Sequence, residues 1–202
     1  NSFRINKYIY MNMMDLFRYS SFSNIETIII IRHGEKPQAG LGQLNCKGFN
    51  RSLLLPKYFS ANYPTANYIF APNPGQKHLE NHGDGKSYNY IRPLATIEPT
   101  AISLGLPVNT SFGAKDIVPL VSELLNTKYH ASVIYMAWEH SDIVKIASLL
   151  YHHFNLDPST IPDWHKDDYD MVFEFKIDWT TKTLKLQIKK QPFINISSRC
   201  LF

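Results

Sequence analysis

The chain has 202 residues, 44% of them apolar, enough for one sizeable core and too few for two comfortable domains. Its formal charge of +4 is uneven: residues 1–60 carry eight Lys or Arg against three acids, and the remainder carries thirteen against fourteen. No Lys/Arg-rich run of the nucleic-acid or membrane-surface kind occurs, and no stretch approaches the roughly 20 apolar residues that span a bilayer. The expectation is therefore a soluble domain whose partner is a small phosphorylated molecule, with no nucleic acid and no membrane span.

Residues 1–24 lack sustained periodicity and read as an N-terminal extension, leaving residues 25–202 as a single domain. The run Thr27 to Ile31 is the pattern of a strand buried on both faces, and it stops abruptly at Arg32-His33-Gly34-Glu35-Lys36. After a turn-rich loop, Pro37 to Gly42, apolar spacing predicts a helix from about Cys46, disturbed near Pro56. Asn67 to Ala71 reads as a second strand, followed by a polar insertion over about 72–91. Pro93 to Leu104 reads as a helix with Pro at its first position and Gly105 just past its end, which puts Arg92 at a helix N-terminus. Asp116 to Leu125 is a further helix. Ser132 to Trp138 is a second strongly apolar strand ending at Glu139-His140, with Ser141 as N-cap of a helix through His153. Met171 to Ile177 and Leu184 to Ile188 alternate like paired strands turning at Thr180-Thr181.

Alternating strands and helices imply an α/β three-layer sandwich with a mainly parallel sheet covered on both faces. In such folds ligands bind beyond the carboxyl ends of the strands, and Arg32, His33, Arg92 and His140 all fall on that edge. A phosphoryl group spreads charge over three oxygens, which planar, permanently charged guanidinium forks suit. Two arginines beside His33 lower its pKa by like-charge repulsion and keep a nitrogen lone pair available. Cys46 and Cys200 fit neither a disulfide-dense scaffold nor a Cys-x-x-Cys metal site, and one bridge between them is an option. The first residue, Asn1, leaves both a cytoplasmic location and export after loss of an upstream segment open.

Arg32-His33-Gly34-Glu35-Lys36, Gly48 in the first helix, Arg92-Pro93-Leu94-Ala95-Thr96-Ile97-Glu98, Leu104-Gly105-Leu106-Pro107 and the late strand-terminal His140 come in an ordered combination. Over residues 26 to 190 that combination resembles the histidine phosphatase, or phosphoglycerate-mutase-like, superfamily. The resemblance implies a metal-independent phosphatase hydrolysing a phosphomonoester through a phosphohistidine. His33 would be the nucleophile, Arg32, Arg92 and His140 the ligands of the transferring group, and no cofactor or metal would be needed. The polar insertion before Arg92 departs from the compact Ser-Ser-Pro-type turn common in the superfamily.

For the leaving-group proton, Glu139 is the first candidate, because it adjoins His140, although strand alternation turns neighbours to opposite faces. Asp116 and the Glu80/His82/Asp84 group of the insertion are the others. Glu35 and Glu98 are expected to fix loops or pair with nearby bases. His78 and His82, four residues apart, would share a helix face and suggest a metal hydrolase as a minor alternative. His152-His153 is read as helix surface and core, and Trp138, Trp164 and Trp179 as packing residues, with a place at the pocket rim as an alternative for Trp164. A non-catalytic phosphoester-binding module on the same fold is the main competing function, and a phosphomutase a lesser one.

Overall fold

The computed structural model describes residues 24–201, so the N-terminal extension lies outside the described residues except for Asn24. Strand β1 (Ile25–Arg32) occupies the middle of the sheet, and its isoleucines divide between two cores. Ile28 and Ile30 face one cluster, Ile29 and Ile31 the other, all four fully buried, as period-two alternation requires of a strand covered on both sides.

The remaining strands are β2 (Tyr68–Phe70), β3 (Lys77–Leu79), β4 (Ser87–Asn89), β5 (Val108–Asn109), β6 (Val133–Trp138), β7 (Met171–Asp178) and β8 (Thr183–Lys190). Five of them join β1 in a six-stranded sheet in the order β5-β2-β6-β1-β7-β8. The first four strands in that order are mutually parallel, and β7 and β8 add an antiparallel hairpin on the other flank of β1. The helices are α1 (Cys46–Asn62), α2 (Arg92–Leu104), α3 (Ile117–Leu124) and α4 (His140–His153). Leu55, Phe59, Ile97 and Ala101 of α1 and α2 cover one face, and Leu120, Leu124, Ile143 and Leu150 of α3 and α4 cover the other. The result is a three-layer α/β/α sandwich with a mainly parallel sheet.

Several local expectations change. Helix α1 continues through Pro56 to Asn62 rather than breaking, because Leu55, Tyr58 and Phe59 on its buried face reward the extra turns more than one lost backbone bond costs. The polar insertion is not structureless: β3 and β4 pair as a small antiparallel hairpin, Lys77 opposite Asn89. The two-residue edge strand β5 was too short to leave a periodic signal. Ser141 is not the N-cap of α4; Glu139 holds that position and accepts from the backbone N–H groups of Ser141 and Asp142. Trp164 does not rim a pocket but is buried against Phe173 and donates from Nε1 to the Asp168 carbonyl at 2.9 Å. His152 and His153 are both exposed at the end of α4, so neither is core.

A disulfide joins Cys46, the first residue of α1, to Cys200 near the end of the chain, with a Cα–Cα distance of 4.7 Å. Asn50, one turn further along α1, donates from Nδ2 to the carbonyls of Ser197 and Arg199 at 2.9 and 2.8 Å, so the C-terminal segment is laced to α1. Among the described residues no helix is long and apolar enough to cross a membrane.

Candidate active site

Strand β1 runs beside β6 in parallel register, so that Arg32 lies opposite Trp138 at the carboxyl edge. One further backbone bond, from His33 N–H to the Trp138 carbonyl at 2.9 Å, carries the pairing past the strand end. Gly34 then crosses the first turn of α1 so closely that a Cβ there would sit 2.9 Å from the Gly48 backbone. A Cβ on Gly48 would come within 2.3 Å of the Glu35 carbonyl. The two glycines allow the helix to lie directly under the loop. Below it, Arg51 donates from Nε and Nη2 to the two oxygens of Glu35 at 2.9 and 2.8 Å, and from Nη1 to Asp170 at 2.6 Å and Gln191 at 3.0 Å. Glu35 is therefore a buried brace, whereas Glu98 is exposed on α2 and, among the described residues, joins no ion pair.

His33 is almost fully buried and its Nδ1 lies 2.8 Å from the Gly34 carbonyl oxygen. A carbonyl only accepts, so Nδ1 carries the proton and the lone pair belongs to Nε2. Burial first, then the charges of Arg92 and Arg32, hold the His33 pKa well below the usual histidine value. Two tyrosines flank the ring, Tyr90 edge-on at 6.1 Å and Tyr169 tilted at 6.3 Å. Each carries one guanidinium over its face: Arg32 lies 3.9 Å from the Tyr169 centroid, and Arg92 4.8 Å from that of Tyr90.

Arg32 donates from Nη1 to the Lys166 carbonyl, while its buried Nε has no partner. Arg92, at the start of α2, donates from Nη1 to Glu80 at 2.5 Å, and its buried Nε is likewise unpartnered. Thr96, one turn along α2, accepts from the Gly34 N–H at 2.9 Å and donates to the Arg92 carbonyl at 2.7 Å, tying the two arginine-bearing segments together. Arg32, His33, Glu80 and Arg92 line a cleft of about 720 Å³ together with Lys36, Lys77, His78, His82, Lys115, Glu139, His140, Lys166 and Tyr169.

Arg32, His33, Arg92, His140 and Glu139 thus converge, but the candidate proton donors separate. Glu139 reaches the cleft with its carboxylate committed to capping α4, to the Ser141 hydroxyl at 2.6 Å and to Nδ1 of His140. Burial alone would raise its pKa; His140 and the capping hydrogen bonds outweigh that and hold it far below the carboxylate range. Its carboxylate is engaged by His140 and by the start of α4. Glu80 is buried against Arg92, Lys36 at 3.2 Å and the Gly42 N–H at 3.0 Å, which overcome the effect of burial and bring its pKa to about 2. Asp116 accepts from the Gly113 N–H at 2.7 Å at the start of α3 and is not part of the cleft. Asp84, exposed at the hairpin tip, accepts from Lys86 N–H and the Tyr88 hydroxyl. His82 alone of those candidates both lines the cleft and has no partner among the described residues.

His78 and His82 share no helix face, since His78 lies in β3 and His82 in the turn beyond it. No three His, Cys, Asp or Glu side chains among the described residues are grouped to hold a metal. Sequence reasoning missed Lys36, Tyr90, Thr96, Lys115 and Tyr169. Thr96 left a trace, four residues from Arg92 on the same helix face; Tyr169, in an irregular loop, left none.

No protein-family model matches this sequence, and no curated protein matches it. Solved structures do match in fold. A phosphohistidine phosphatase SixA from Nakamurella multipartitia superimposes with a TM-score of 0.54 at 12% identity, covering 84% of this chain and 98% of its own. A mycobacterial glucosyl-3-phosphoglycerate phosphatase bound to inorganic phosphate gives 0.52 at 12%, covering 81% and 95%. A phosphoserine phosphatase variant from Entamoeba histolytica bound to phosphoserine gives 0.51 at 12%, covering 87% and 99%. The chain has the phosphoglycerate-mutase-like fold of histidine phosphatases.

Proposed function

We propose that this protein is a metal-independent phosphatase that hydrolyses a phosphomonoester through a phosphohistidine at His33. The observation that carries the reading is the His33 Nδ1 contact with the Gly34 carbonyl: it assigns the lone pair to Nε2 of a neutral ring between two buried arginines with unpartnered Nε atoms. Histidine phosphatases of the same fold, one of them holding inorganic phosphate, support it.

Nε2 of His33 attacks phosphorus and forms the N–P bond as the ester P–O bond breaks. Arg32, Arg92 and Nε2 of His140 hold the three equatorial oxygens, which needs electrostatic placement more than covalent chemistry. His82 gives its proton to the leaving oxygen. Neutral His82 then takes a proton from water, whose oxygen bonds to phosphorus as the N–P electron pair returns to His33. The products are the alcohol and inorganic phosphate.

The test is a brief turnover quenched at alkaline pH, where phosphohistidine survives, with mass mapping of the phosphorylated peptide. Phosphate on His33, and its loss with activity in His33→Ala, are expected; activity persisting in His33→Ala overturns the reading. His82→Gln should slow alkyl esters at least about tenfold while sparing aryl esters, whose leaving groups need little protonation. Tight orthophosphate binding with no turnover of any ester would make the protein a phosphoester-binding module instead.

A further inference from the structure

The four residues that face the transferring group account for only part of the cleft. Its other wall is built from two separate segments, the β3–β4 hairpin with Lys77, His78 and His82, and the loop before α3 with Lys115. The wall is basic beyond what its carboxylates offset. Glu80 is committed to Arg92 and Lys36, and Glu139 to capping α4 and to His140. Lys115 shares the single buried carboxylate of Asp142 with Lys145, at 2.5 and 3.0 Å. Lys77 joins no ion pair among the described residues. His78 lines the cleft with Lys115 and stacks on Tyr90 at 4.5 Å; burial first, then Arg92, lower its pKa against the opposing pull of Glu80. Asp167, the third carboxylate of the cleft, is mostly exposed, on the loop that carries Lys166.

We infer that Lys77, His78 and Lys115 form a second anion subsite, so that the substrate is a phosphomonoester bearing a further anionic group, a second phosphate or a carboxylate. This rests on the phosphatase reading for the location of the first phosphoryl group. A cleft of about 720 Å³ has room for such a molecule, since pockets for small metabolites run to roughly 300–1,000 Å³. The hairpin that breaks the usual compact turn before Arg92 thereby acquires a purpose: it carries two of the three bases.

Three esters with a common six-carbon spacer separate the possibilities: hexyl phosphate, 6-phosphohexanoate and hexane-1,6-diol bisphosphate. On the wild-type enzyme, kcat/KM for at least one anionic ester should exceed that for hexyl phosphate about tenfold, the size expected of two partly exposed ion pairs. In Lys77→Gln/Lys115→Gln that ratio should fall close to one, and in wild type it should shrink as salt rises. Preference for the bisphosphate or for the carboxylate identifies the second group. A wild-type ratio near one, or a ratio unchanged in the double variant, overturns the inference while leaving the phosphatase reading intact. Calorimetric binding of the three esters to His33→Ala gives the same ratios without turnover, so absence of catalysis in wild type would count against the phosphatase reading alone.

Discussion

Strand β1 buries ionisable groups at both ends, and the two ends treat them differently. At the carboxyl edge, Arg32 and His33 are almost fully buried, and the buried Nε atoms of Arg32 and Arg92 have no hydrogen-bond partner among the described residues. At the amino end, Glu26 is fully buried opposite Ile177, its Oε2 accepting from Trp179 Nε1 at 2.9 Å and its Oε1 unpartnered. Among the described residues no cation pairs with it. Burial raises its pKa to about 8, with only the Trp179 hydrogen bond opposing, so at neutral pH it is a neutral acid. One end sets two guanidinium groups beside a histidine with Glu80 and Glu139 as nearby carboxylates; the other is a carboxyl that the fold keeps uncharged. A buried charge is retained where opposite charge faces it, and otherwise is neutralised by a change of protonation.

The two ends also oppose each other in pH dependence. His33 has a lowered folded pKa, so below about 6.5 the unfolded chain binds the extra proton and stability falls with acidification. Glu26 has a raised folded pKa, so from about 4.5 up to about 8 the folded chain holds the extra proton and stability falls as pH rises.

The largest effect should come from Arg32→Met, which keeps volume and removes the charge. Loss of one fork on the transferring group should lower kcat/KM by at least about a thousandfold, roughly 4 kcal/mol. The melting temperature at pH 7 should hold or rise, because apolar replacement of a buried charge is neutral or stabilising in general. The His33 pKa, followed by NMR, should move up. A melting temperature reduced in step with activity would mean that Arg32 is a structural brace, and the contrast between the ends would collapse. Next in size is Glu26→Gln, which cannot ionise. It should stabilise the protein by roughly 3 kcal/mol at pH 7, and make little difference near pH 4.5, with kcat/KM unchanged. Urea melts across that range check it; a constant difference at all pH values would show that Glu26 is already ionised in the fold.

The carboxyl-edge end was legible because its signals are local and repeated. A β-branched run ending in Arg32-His33-Gly34, a helix beginning at Arg92-Pro93 and an apolar strand ending at His140 each mark a strand-to-loop or loop-to-helix junction, and parallel topology gathers such junctions on one edge. Which group would protonate a leaving oxygen was not legible, because spacing alone does not show which hydrogen bonds and ion pairs already engage each candidate. Glu80 pairs with Arg92 and Lys36, Asp116 accepts from the Gly113 N–H, and Glu139 caps the helix that follows it. The β3–β4 hairpin was missed because strands of three residues are too short to display alternation. Glu26 was missed for a related reason: a single acid at the start of an apolar run reads as a solvent-facing end until Trp179, from the far end of the chain, closes over it.

Thr96 offers the smallest but most discriminating probe of how rigidly the carboxyl edge is held. Its hydroxyl is fully buried, accepts from Gly34 N–H and donates to the Arg92 carbonyl, so a single oxygen sets the spacing between the nucleophile loop and the second arginine. Thr96→Val preserves shape and leaves the Gly34 N–H without that acceptor, a loss of about 1–2 kcal/mol in stability. If the edge is prearranged for a phosphoryl group, kcat should drop about tenfold beyond anything the stability change produces, since misplacement by a fraction of an ångström is felt in the transition state. Thr96→Ser restores the hydroxyl and should recover kcat while remaining less stable than wild type for want of the methyl group. Stability and kcat recovering together, or kcat indifferent to both substitutions, would mean that the loop finds its catalytic geometry only when substrate arrives.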